Sequence, residues 1–147
     1  ADRKAQAHDE PLPPGVAHSA QLIGKQSLKH GFREGLVESG DLLFLAHIPV
    51  LDGSLRGWLK VTDELGTLPA QRVVPGHGPL SEWPGALADQ RRYLTKLAAD
   101  IRALIARGEP ITAAASTAAA SERPVWQLFD DYNARNATSA YSEIEWE

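Results

Sequence analysis

Three short stretches of this chain place side chains able to bind a metal ion beside apolar runs. The most distinctive is Val73-Val74-Pro75-Gly76-His77-Gly78-Pro79, which holds one imidazole between two glycines and two prolines. Val73 and Val74 read as the end of a buried strand whose ladder Pro75 cannot continue. The glycines permit backbone angles and close approaches that other residues resist, so His77 is expected in a rigid loop facing a cleft. Gly15-Val16-Ala17-His18-Ser19 and Ser39-Gly40-Asp41-Leu42-Leu43-Phe44 present a second imidazole and a carboxylate in similar settings. His18, Asp41 and His77 form a ligand set suited to zinc or a similar divalent ion, and an Asp beside two histidines can bridge a metal pair. Plainer readings stand beside this one. His18 after a Pro-rich arm is also an ordinary surface histidine, and Asp41 also suits a turn in which it bonds its own backbone. His30 and His47 read as surface or packing residues, and Asp52 as a helix cap.

The elements that must position these groups follow from periodicity. Residues 1–17 are polar and Pro-rich and read as an extended arm. Leu36-Val37 and Leu42 to Ile48 read as two short strands flanking a turn at Ser39-Gly40-Asp41. Leu55, Trp58, Leu59, Thr62 and Leu65 recur at helical spacing, with Ser54 or Asp52 as N-cap and Gly66 as stop. A long helix opens at Ser81 or Pro84 and runs to about Arg107. Its apolar stripe is Leu87, Leu94, Leu97, Ile101, Leu104 and Ile105, and Gly108 ends it. Residues 112–121 are Ala-rich and fit either a helix or a mobile connector. The segment after Pro124 is aromatic enough to dock as one or two helices. Asn136-Ala137-Thr138 carries a glycosylation-acceptor pattern, one that recurs by chance. The chain thus divides into an arm (1–17), a metal-site half-domain (18–111) and a connector with an aromatic C-terminal segment (112–147).

Composition narrows the function classes. The 147 residues suffice for one domain with a real core. A formal net charge of -4 supplies no electrostatic attraction for nucleic acid or an anionic membrane. No apolar run has the length of a membrane span. The absence of Cys excludes disulfides and thiolate metal sites. Met is also absent, even at position 1, so the expectation is of an N-terminus made by processing, by proteolysis or by design.

Taken in order, Ala17-His18-Ser19, Gly40-Asp41-Leu42-Leu43-Phe44, Asp52-Gly53-Ser54 with Gly57-Trp58, and the Pro75–Pro79 loop resemble the C-terminal half of the metallo-β-lactamase superfamily. The stretch from Trp126 to Glu147 is similar to a periplasmic branch, the quinoprotein relay system zinc metallohydrolases. The resemblance spans residues 15 to 147 and implies an α/β fold, the C-terminal half of an αββα sandwich. It implies His18 as the metal ligand of the middle motif, Asp41 as the bridging carboxylate and His77 as the last histidine. By the same resemblance the cofactor is zinc, as one or two ions, and the reaction is hydrolysis of a small carbonyl substrate by a zinc-bound water. A periplasmic location is implied as well. The family's first motif, His-x-His-x-Asp-His, is absent, and residues 20–33 depart from the short strand expected after Ala17-His18-Ser19. The chain therefore offers about half the usual ligand shell. The alternative is a non-catalytic remnant or interaction module of the same fold. In either case, a half-sandwich with strands apolar on consecutive residues is expected to be covered by its N-terminal half or by a second copy as a homodimer.

Overall fold

The computed structural model describes residues 35–147; His18, His30 and the arm lie outside the described residues. Strand β1 is Leu36–Phe44, helix α1 Leu55–Gly66, strand β2 Arg72–His77 and strand β3 Ser81–Glu82. Helices α2 (Ala88–Ala106), α3 (Ile111–Thr117) and α4 (Phe129–Ile144) follow. The chain is α/β, and its described strands form one sheet in the order β1-β2-β3.

β1 and β2 run parallel, joined by α1 as the crossover helix, and β3 turns back antiparallel to β2. Three expectations are corrected here. Ser39-Gly40-Asp41 is not a turn between two strands but part of a single nine-residue strand. The ladder shifts register between Glu38 and Gly40 and again between Gly40 and Phe44, and Gly40 takes φ +51° to absorb the irregularity. The strand also ends at Phe44 rather than Ile48, because Ala46 adopts φ +70°. Likewise β2 does not stop at Val74. It continues through Pro75 to His77, and Pro75 is tolerated because it faces Gly40 at the irregular part of the ladder. His77 is therefore the last residue of a strand.

The helices follow the periodicity, except that the long one does not open at Ser81 or Pro84: Ser81–Glu82 is held in the sheet as β3 against β2. Ser54 caps α1, its Oγ accepting from the Gly57 N–H at 2.9 Å. Asp52 does not cap; its carboxylate accepts from Arg135 at 3.0 Å and its carbonyl from Trp58 Nε1 at 3.2 Å. Glu143 of α4 takes a further orphan donor, the Leu55 N–H, at 2.6 Å. A 3-10 turn at Gly85–Leu87 precedes α2, which starts at Ala88, and Gly108 follows it at φ +71°. The apolar stripe of α2 is buried as expected, Ile105 only partly, and Gln90 and Tyr93 are buried beside it.

The Ala-rich connector is a helix followed by a 3-10 turn at Ala120–Glu122, with Ala114, Ala118 and Ala119 buried. The aromatic segment forms one helix that packs on α3, α2 and α1. Residues 112–147 thus share one core with residues 35–111.

The sheet turns Val37, Ser39, Val73 and Pro75 toward that core. Its other face carries Glu38, Arg72 and Val74, two charged residues around an apolar one that is 40% exposed. Toward its end β1 is buried on successive residues, Leu42, Leu43 and Phe44. Continuous burial there matches the consecutive apolar residues; the first half of the strand alternates instead.

Candidate metal centre and its cavity

Because β1 and β2 are parallel, their carboxyl ends lie together, the usual place for a ligand crevice in an open α/β sheet. Asp41 and His77 meet there, with His77 Nε2 3.3 Å from Asp41 Oδ1. The neighbouring Leu45 N–H donates to the His77 carbonyl at 2.7 Å and anchors the backbone of the histidine.

The flanking glycines are required by space. A Cβ on Gly76 would lie 2.5 Å from the Gly40 carbonyl and 2.7 Å from Asp41 Oδ1. One on Gly78, itself at φ +135°, would lie 2.6 Å from the Leu45 side chain. Gly76→Ala is therefore expected to push β1 from β2 at the site, costing about 1–3 kcal/mol. A drop in the thermal midpoint together with weaker divalent-ion binding checks this; unchanged values for both would refute it.

Two rings pack against His77. Phe44 stacks on His77 with centroids 4.7 Å apart and planes 8° from parallel. His47 meets the His77 ring edge-on at 4.8 Å and Phe44 at 5.2 Å. His47 thus is the packing residue expected, but its packing lies within the site. Its Nδ1 is 2.9 Å from the Ile48 carbonyl. A carbonyl only accepts, so Nδ1 is the donor in this contact.

A cavity of about 420 Å³ opens beside these groups. Asp41, His47 and His77 line it together with Phe44, Trp58, Val61, Leu128 and Tyr132. Two buried side-chain amides hold its walls. Gln90 of α2 accepts from the Phe44 N–H at 3.0 Å and donates to the Leu42 carbonyl at 2.9 Å. Asn136 of α4 accepts from the Leu51 N–H at 3.0 Å and donates to the Pro49 carbonyl at 2.7 Å. Each amide satisfies a carbonyl and the N–H two residues further on, as a neighbouring strand would. Asn136 also donates to the Tyr93 hydroxyl, which in turn donates to Asn133. Burial raises the Tyr93 pKa well above its ordinary value, opposed by the Asn136 hydrogen bond, so the phenol stays protonated. With its amide enclosed, Asn136 is a structural residue rather than a glycan acceptor.

The structure brings Asp41 and His77 together, while His18 lies outside the described residues. Among the described residues no group of three or more His, Cys, Asp or Glu side chains is arranged to hold a metal ion. Sequence reading missed the contributions of Phe44, Leu128 and Tyr132, since nothing in their local pattern separates a cavity wall from core. No helix among the described residues is long and apolar enough to cross a membrane. The chain matches no protein-family model, and no curated protein matches it.

Proposed function

We propose that this chain contributes part of the zinc centre of a hydrolase of the metallo-β-lactamase fold. The observation that carries the reading is the approach of Asp41 and His77 at the carboxyl ends of two parallel strands, beside a cavity of ligand size. An imidazole and a carboxylate facing one another fit part of a zinc shell, and a closed site calls for four donors. His18 is the third donor the reading assigns. The rest come from the N-terminal half of the sandwich or from a second copy of the chain, and the proposed location is the periplasm. A divalent ion at this point would supply a Lewis acid for a carbonyl substrate.

His77 and Asp41 would hold the ion and would not act as nucleophiles. Phe44 stacks on the His77 ring and fixes its orientation, while the Leu45 hydrogen bond fixes its backbone. Leu42, Phe44, Trp58 and Val61 form the apolar wall of the cavity, while the Asp41 carboxylate at its mouth stays exposed to water.

Zinc retention by the purified chain, read by elemental analysis after dialysis, tests the proposal. Partial occupancy that falls further in Asp41→Asn is the expected result. Two tightly held ions per lone chain would refute the partial shell, and equal retention by Asp41→Asn would refute the site. Metal binding through Asp41 and His77 with no hydrolysis of ester or thioester substrates, even with the completing partner present, would favour the non-catalytic alternative.

A further inference from the structure

The cavity has a rim whose backbone is strained. Leu128 sits at φ +57°, a left-handed conformation that a γ-branched side chain adopts only at a cost. It remains 48% exposed where it lines the cavity. Ala46 on the facing segment is left-handed too, at φ +70°. The two positions are tied by backbone hydrogen bonds from Gln127 N–H to the Ala46 carbonyl, 2.9 Å, and from Ile48 N–H to the Gln127 carbonyl, 3.0 Å. This bridge holds His47 and Leu128 at the same cavity. A glycine or asparagine would suit the Leu128 backbone better, and burial does not account for a leucine that is half exposed.

The charge of the lining is also selective. Among the described residues the cavity is lined by two carboxylates, Asp41 and Asp52, and by no lysine or arginine. Arg135 reaches Asp52 at 3.0 Å but is not itself part of the lining. A ligand carrying a carboxylate on its apolar body would have no cation to pair with there, and burying it would be costly.

We propose that the cavity selects a small carbonyl compound whose apolar body carries no anionic group, and that Leu128 is the specificity-determining residue covering that body. The carbonyl end rests on the hydrolase reading above; the apolar, non-anionic body rests on the cavity alone.

Binding of three probes to the metal-free chain in chelator, measured by ligand-observed NMR, tests this. Phenylacetamide has the body and the neutral carbonyl end, acetamide lacks the body, and para-carboxyphenylacetamide adds a charge to it. Phenylacetamide is expected to bind about tenfold more tightly than either of the others. Leu128→Gly is expected to weaken it about fivefold, the loss of one partly buried apolar contact, with no fall in the thermal midpoint because the backbone strain is relieved. Leu128→Asn also tolerates the left-handed backbone and serves as a second variant should the glycine form fail to fold. Val125→Ala, at an exposed apolar residue away from the cavity, is the control and is expected to bind as wild type. Equal binding of the carboxylated probe, no binding of phenylacetamide, or unchanged affinity in both Leu128 variants would overturn the proposal. Because the chelator removes zinc, a failed zinc experiment with intact probe selectivity refutes the hydrolase reading and leaves the ligand class standing. The reverse pattern refutes the ligand class alone.

Discussion

His77→Ala is expected to abolish measurable zinc affinity, a loss of about 100-fold or more, because it removes a first donor where even supporting residues matter by about 10–100-fold. His77 is the one described histidine that both ends a strand and faces a carboxylate. His47→Ala removes an edge-on ring contact but leaves the Asp41–His77 approach in place, so its effect is expected to be about tenfold or less. His30→Ala is expected to leave affinity unchanged. Calorimetric titration with zinc of the three variants separates them. Equal losses at all three positions would mean diffuse surface binding and would end the case for a centre at the β1–β2 junction.

Gln90→Ala is expected to produce the largest loss of stability of any single change near the site, about 3–5 kcal/mol. The side chain is wholly buried and satisfies two backbone groups of β1 at once. Removing it leaves the Leu42 carbonyl and the Phe44 N–H buried without partners, each costing about 1–3 kcal/mol, and opens a void besides. Against a typical total of about 5–15 kcal/mol, this brings the chain near unfolding. Urea denaturation measures the change; a loss below about 1 kcal/mol would mean water replaces the amide and the strand end is not dry.

Gln90→Glu sharpens the test through pH. A protonated carboxyl can still donate to Leu42 and accept from Phe44, whereas a carboxylate cannot donate. The folded state therefore holds the proton more tightly, and the pKa of the introduced acid is raised above its unfolded value of about 4.3. A raised pKa contributes stability that is complete below the unfolded value and is lost as pH rises through the folded one. Gln90→Glu is expected to lose stability relative to wild type as pH rises from about 4 toward neutrality. A difference from wild type that is flat across that range would show that the carboxyl does not enter the clamp.

Much of this arrangement is local and was legible from residue types. Helix α1 with its Ser54 cap, the buried stripe of α2 and the Gly108 stop follow from periodicity and capping chemistry, which act within a few residues of chain. The prominence of His77 between glycines was legible too, because close backbone approach requires a missing Cβ. The passage of β2 through Pro75 and the continuity of β1 through Ser39-Gly40-Asp41 were not. Strand limits depend on the partner's register, and a bulge facing the proline is a property of the pair rather than of either segment. The cavity was hidden for the same reason. Its walls come from β1, the loop after it, α1, the end of β2 and the start of α4, and its shape depends on Gln90 and Asn136 reaching across the fold. Residue identity by itself singled out His77 and Asp41 as side chains of a ligating type and set helices α1 and α2, while it left open whether the Ala-rich connector is helical and how many helices follow it. Tertiary structure decided that Asp41, His47 and His77 share one cavity, because only packing brings together side chains so far apart in the chain.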